Sequence, residues 1–240
     1  MEKTEAERRI ELDAIAYAKA NRTRIARELT DPKVFIPEQN PVSVFMAGSP
    51  GAGKTEASMV LIDSLAKARI NVLRIDPDEL RTKIEGYTGV NSWLFQSAVS
   101  LLVERVHDRA LDQGQTFLLD GTLSSYDVAM KNIERSLKRE RVVQILYVYQ
   151  APEQAWKFVK AREAKEGRRI QPEDFERQYF AARQVVNRLK TELGKSIQVD
   201  LLMKNNDGSQ RFYRAGVDQI DNHIPENYSP ADVRTMLGLE

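Results

Sequence analysis

The chain has 240 residues, enough for one large domain with a sizeable core. Hydrophobic residues make up 42% and charged residues 30%, and 36 Lys and Arg against 35 Asp and Glu leave a net charge of +1, which argues against a broad nucleic-acid-binding surface. The absence of cysteine rules out disulfides, thiolate metal sites and a catalytic thiol, and two histidines, His107 and His223, are too few for a histidine-based zinc centre. The first residues, MEKTEAERRIELD, are too acidic and polar for a secretory leader, and no apolar run approaches the roughly 20 residues that span a bilayer. The expectation is a cytoplasmic protein with no membrane partner.

Residues 1 to about 30 read as a charged helix with a loose apolar stripe (Ile10, Leu12, Ile15, Tyr17, Ile25, Leu29), stopped by Asp31-Pro32. Residues 1–40 are therefore expected to form an N-terminal helical extension, and 41–240 the main domain. The stretch PVSVFMAG is short, β-branched and apolar, a buried strand. It runs into Gly48-Ser49-Pro50-Gly51-Ala52-Gly53-Lys54-Thr55, a G-x-x-x-x-G-K-[ST] loop, and a helical pattern follows to about Ala68. In this strand–loop–helix setting the backbone amides cradle phosphates, Lys54 reaches the outer ones and the Thr55 hydroxyl ligates Mg²⁺. The expected ligands are ATP or GTP with Mg²⁺.

INVLRID (70–76) is the second strand, followed by Asp76-Pro77-Asp78 and a helix over 79–86. In a parallel sheet the ligand gathers at the carboxyl ends of the strands. A carboxylate here can take the proton of an attacking hydroxyl, and Asp78, past the strand, is favoured for that role. Asp78 also suits a helix N-cap, with Arg81 one turn on. Asp76 is expected to hold the turn or reach the Mg²⁺ water shell. The loop GYTGVNS (86–92) offers Tyr87, Asn91 and Ser92 to an acceptor, and a long helix covers 93–113. QTFLLDG (115–121) is the third strand. Its closing Asp120 is placed to hold Mg²⁺ water or a substrate hydroxyl.

A helix covers roughly 125–139 and the strongly β-prone RVVQILYVYQ (141–150) is the fourth strand. Helices follow at 152–166 and 172–193, and between them, near 160–172, lies a segment expected to be mobile, carrying Arg162, Arg168 and Arg169 around Gly167. Such arginines can stabilise charge on a transferring phosphoryl group, or simply favour a solvated helix end. SIQVDLLMKN (196–205) is the fifth strand and RFYRAGV (211–217) a short sixth, across the Asn206-Asp-Gly turn. Asn205 after the fifth strand would lie near the nucleotide base, although a tight turn explains the same residues. A last helix starts near Pro230. The two tryptophans are expected in core or groove, and His107 as a packed or surface residue. Together these elements predict an α/β fold, a P-loop NTPase-type three-layer sandwich with a mainly parallel five- to six-stranded sheet and helices on both faces.

AGSPGAGKTE, RIDPDELR, FLLDGT and RE…EGRRI, in this order, resemble the bacterial zeta-toxin family of P-loop kinases across roughly residues 41–217. The resemblance implies an ATP-dependent small-molecule kinase, the toxin of a toxin–antitoxin pair, which phosphorylates a hydroxyl of UDP-N-acetylglucosamine or a related nucleotide-sugar and so inhibits cell-wall synthesis. It also implies a protein antitoxin as partner. By motif match Lys54 and Thr55 take the phosphate and Mg²⁺ roles and Asp78 the base. Asp120 and Thr122 contact the sugar, and Arg162 and Arg169 clamp the phosphates. Familiar members carry Glu-Gly-Thr-Gly-Arg after the third strand, where this chain has Asp120-Gly-Thr-Leu-Ser124. Two other readings share parts of the pattern: a polynucleotide 5′-hydroxyl kinase or other P-loop metabolite kinase, with Asp78 and Arg81 in corresponding places, and a non-catalytic nucleotide switch.

Overall fold

Thr4 starts the first helix, α1 (Glu5–Leu29), through a capping box in which its side chain and that of Glu7 satisfy each other's backbone N–H groups. The computed structural model describes residues 3–68, 70–224 and 227–239. The buried face of α1 is mostly small: Ala14, Ala18, Ile25 and Ala26. It lies along α4 (Gln96–Asp112), whose buried face carries Ala98, Val99, Leu102, Val106 and Ala110. The segment read as an N-terminal extension thus belongs to the same core as the sheet.

The sheet has six strands, β1 (Val42–Ala47), β2 (Leu73–Ile75), β3 (Phe117–Leu119), β4 (Val142–Tyr149), β5 (Gln198–Lys204) and β6 (Gln210–Arg214), in the order β2-β3-β1-β4-β5-β6. β1 to β5 run parallel and β6 returns antiparallel on β5, with a register irregularity at Met203/Lys204. Successive residues point to opposite faces. Phe45, Ile75, Phe117, Ile145 and Leu201 pack toward α1, α4, α5 (Tyr126–Leu137) and α7 (Pro172–Leu193). Val44, Met46, Leu118, Leu146, Val148 and Leu202 face the other way, over α2 (Lys54–Lys67). The remaining helices are α3 (Pro77–Arg81), α6 (Pro152–Glu166) and α8 (Pro230–Leu237).

Several boundaries differ from the sequence expectation. β2 spans 73–75 rather than 70–76, because it is an edge strand paired only with β3, and Asn71 is turned to the Val34 carbonyl at 3.1 Å. β3 is confined to 117–119, since Gln115 and Thr116 spend their polar groups on the 30–42 segment. The helix expected over 79–86 is the short α3, opened by the Asp76 cap and Pro77. The helix expected over 93–113 divides into a 3₁₀ turn at Ser92–Phe95 and α4.

Arg141 fastens the amino ends of the strands. It is buried, donates to Ser43 Oγ (2.7 Å) and to the carbonyls of Val42 (3.1 Å) and Gln115 (2.6 Å), and lies over the Phe117 ring. Burial and Arg139 push this guanidinium down to about 10. That polar floor leaves the opposite, carboxyl ends of the strands to build the site, and β1, between β3 and β4, marks the crevice. Among the described residues no helix is long and apolar enough to cross a membrane.

Candidate active site

The loop after β1 is fixed by close backbone approach. Gly48 has φ +133°, and a Cβ there would lie 2.3 Å from the Val148 carbonyl oxygen; at Gly51 (φ +72°) a Cβ would lie 2.1 Å from that of Ala155. Only glycine satisfies both demands. Gly53, left-handed, precedes α2 without a side-chain cap, so the first-turn amides carry the helix's partial positive charge toward the loop. Ser49 and Ala52 are buried, and Pro50 lies between Ser49 and Gly51 in the turn. Lys54 folds back on its own loop, donating to the carbonyls of Gly48 (3.0 Å) and Ser49 (2.7 Å). Burial pulls its ammonium down to about 8, against the opposing pull of Asp120.

Asp76, not Asp78, caps α3, accepting the Asp78 N–H at 2.7 Å. This frees the Asp78 carboxylate, which is held by three arginines. Arg81 donates to Oδ1 at 2.6 Å, while Arg162 (2.8 Å) and Arg168 both donate to Oδ2. Burial acts to raise the Asp78 carboxyl, but Arg168, Arg162 and Arg81 outweigh it and hold it below the usual carboxylate range. Arg81 is itself buried and reaches Gln96 Oε1 at 3.2 Å, tying α3 to α4. Arg169, expected beside Arg162, instead turns outward, its Nε 3.8 Å from Glu163. Gly167, left-handed after α6, sends consecutive side chains in different directions, and it is Arg168 that faces Asp78.

Asp120 follows β3 and Thr122 follows it closely. The Thr122 carbonyl accepts the Gly48 N–H at 3.2 Å, so the turn after β3 is pinned to the phosphate loop. Thr122 Oγ1 lies 2.9 Å from Ser124 Oγ. The 86–92 loop touches the arginine segment: a Cβ on Gly89 would lie 2.5 Å from the Glu166 carbonyl, and one on Gly167 3.1 Å from Val90. Tyr87 packs edge-on against Phe95 and lies close enough to act on the charge of Arg168. Asn91 is spent on its own loop, donating to the Gly86 carbonyl (2.9 Å) and accepting the Thr88 N–H (3.0 Å), and Ser92 is buried. Asn205 donates to Ser209 Oγ (2.9 Å), and its carbonyl accepts from Gln150 (2.7 Å). With Tyr149, Gln150, Ala151, Lys204 and Arg211 it lines a cavity of about 130 Å³.

Sequence reasoning missed Arg74 and Ser58, which join Asp76 and Asp120 in the interior. The signal was present: residues two apart on a strand share a face, so Arg74 and Asp76 project together. Among the described residues no cluster of three or more His, Cys, Asp or Glu could hold a metal. Ser58 nonetheless links the Thr55 carbonyl (2.8 Å) to Asp120 Oδ2 (3.1 Å), which brings the Asp120 carboxylate to the α2 segment that carries Thr55. Such a sparse oxygen set fits Mg²⁺, which completes its shell with phosphate and water.

The loop, the acids at the ends of β2 and β3 and the arginines thus meet at one crevice. The zeta toxin family model matches residues 25–218, most of the chain.

The chain belongs to the zeta-toxin family.

The match takes in every site residue described above and leaves most of α1 before it. Solved structures show the same fold. A structure from the PezAT chromosomal toxin–antitoxin system of Streptococcus pneumoniae superposes with a TM-score of 0.65 at 17% identity, over 99% of this chain and 94% of that one. AvrRxo1-ORF1:-ORF2 with ATP gives 0.56 at 17% identity, over 86% and 66%. The Pnkp1/Rnl/Hen1 RNA repair complex gives 0.51 at 16% identity, over 64% and 47%. No curated protein matches the chain. Membership places this zeta-toxin protein among nucleotide-dependent phosphotransferases of the kinase-toxin type.

Proposed function

We propose that the protein is an ATP- and Mg²⁺-dependent kinase that phosphorylates a hydroxyl of UDP-N-acetylglucosamine or a related nucleotide-sugar. It acts as the toxin of a toxin–antitoxin pair, blocking cell-wall synthesis in the cytoplasm. The observation that carries this reading is that Lys54 of the phosphate loop lies within electrostatic reach of Asp120, Asp78, Arg162 and Arg168. Donor and acceptor machinery therefore share one site. The nucleotide-sugar is the acceptor that the family resemblance suggests, and the Thr122 and Ser124 hydroxyls, 2.9 Å apart in the turn after Asp120, suit a sugar. The PezAT structure, which comes from a toxin–antitoxin system, supports an antitoxin partner.

In this reading the β- and γ-phosphates settle on the loop amides and draw Lys54 off the Gly48 and Ser49 carbonyls. The γ-phosphate competes with Asp78 for Arg162 and Arg168, which then stabilise the charge of the transferring group. Asp78, left with Arg81, orients the acceptor hydroxyl and accepts its proton as the oxygen attacks the γ-phosphorus and ADP leaves. Thr55 and Asp120 would hold Mg²⁺, which would supply neutralisation of the charge that builds on the phosphates. Asn205 and Gln150 line the cavity where the base would lie.

Labelled ATP and Mg²⁺ are offered with UDP-N-acetylglucosamine, other nucleotide-sugars and a 5′-hydroxyl oligonucleotide. Transfer to the nucleotide-sugar, abolished by Asp78→Asn, is the expected result. Label in the oligonucleotide and none in the sugar pool would sink the reading.

A further inference from the structure

Behind the site lies a buried charge cluster to which the mechanism above gives no task. Arg74, on the edge strand β2, is about 10% exposed. Its Nη2 donates to Asp76 Oδ2 (2.5 Å) and Asp120 Oδ2 (2.6 Å), its Nη1 to Glu79, and its Nε to Ser58 Oγ (3.2 Å). Ser58 in turn donates to Asp120 Oδ2 (3.1 Å) and lies against the Thr55 carbonyl. One guanidinium therefore joins the ends of β2 and β3 to α2 at Ser58. Two buried carboxylates this close repel unless a cation stands between them, and Arg74 is that cation. A fork of fixed geometry also dictates direction. Both bonds to Asp120 land on Oδ2, which turns the rest of that carboxylate away from Arg74.

We propose that Arg74 is a positioning residue that fixes the Asp120 carboxylate relative to Thr55 and thereby sets how tightly Mg²⁺-bound ATP is held. This rests on the proposed Mg²⁺–nucleotide site, and it assigns that site's geometry to a residue that touches neither metal nor phosphate. Arg74 also makes an internal metal between Asp76 and Asp120 unnecessary, so that Asp76 serves as cap and counter-charge. Outer residues that orient a metal ligand shift metal affinity by about 10- to 100-fold.

The test is titration of a fluorescent ATP analogue, in saturating Mg²⁺ and again in EDTA. Arg74→Met is expected to raise the Kd about tenfold in Mg²⁺ and to leave the EDTA value within about twofold, with Arg74→Lys recovering part of the loss. Equal Kd values for folded Arg74→Met and wild type in Mg²⁺ overturn the proposal. An equal loss in Mg²⁺ and EDTA does so too, since it marks a scaffold or phosphate-binding role. If Arg74→Met does not fold, Ser58→Ala removes the bridge and keeps every charge; an Mg²⁺-specific loss of about threefold is expected, and no loss overturns the proposal. A wild-type protein that binds no Mg²⁺–ATP refutes the underlying kinase reading, and that outcome is seen in the wild-type arm alone.

Discussion

Asp78 shows how little of a residue's role lies in its identity. A lone Asp after a strand is equally a helix cap and a base, and the structure gives the cap to Asp76 and three arginines to Asp78. A carboxyl held this low stays ionised in the cell, and in the proposed mechanism it accepts a proton only as the arginines turn to phosphate. Arg168→Ala is expected to cost about 100-fold or more in kcat and Arg169→Ala only a few-fold, measured with saturating ATP and acceptor. The reverse order would return the clamp to Arg169. Lys54, depressed to about 8 by burial in the ligand-free protein, must be protonated to meet phosphate. ATP affinity is therefore expected to fall about tenfold per pH unit above about 8, and Lys54→Met to flatten that slope. His107 sits buried edge-on to Phe117 and Phe45, its imidazole pushed down to about 3 by burial and by Arg135, Arg141 and Arg139. The unfolded chain binds that proton more readily. Stability should thus fall as pH drops below about 6.5, by up to about 1.4 kcal/mol per unit, and His107→Leu should lessen that fall in denaturant titrations.

At the scale of elements, the five parallel strands were legible because each lies in a short apolar run ending in a polar or glycine turn, and the exposed β6 by its aromatic pair after a tight turn. Their lengths were not. β2 keeps only the residues that β3 can pair, and β3 loses Gln115 and Thr116 to the segment wrapped beneath the sheet. The 86–92 loop and the arginine segment meet through Gly89 and Gly167, each left-handed and each against the other segment. Gly89→Ala forces a Cβ toward the Glu166 carbonyl, moving Arg162 and Arg168 off their places. Its kcat is expected to fall about tenfold or more while the ATP Kd changes about twofold or less, read by steady-state kinetics and nucleotide titration. Unchanged kcat would show that the two segments move independently.

At the scale of the molecule, α1 lies largely outside the span matched by the family model, yet it covers α4 with an alanine face. Removing residues 1–30 would expose the α4 residues that α1 covers and cut the Thr30 links to Arg109 (3.2 Å) and Gln115 (3.1 Å). The truncated protein is expected to aggregate or lose its cooperative thermal transition, as seen by size-exclusion chromatography and circular dichroism. A monodisperse truncation with an unchanged Tm would make α1 an accessory. The sequence alone determined the alternation of strands and helices, the phosphate loop and the acids at the strand ends, since these follow from hydrophobic period and from backbone demands within a few residues. Tertiary structure alone decided that Arg74 stands between Asp76 and Asp120, that Arg168 rather than Arg169 holds Asp78, and that α1 closes the core. Contacts across 46 and 90 positions depend on how separate elements pack, and no local pattern encodes which of two neighbouring side chains will face the cleft.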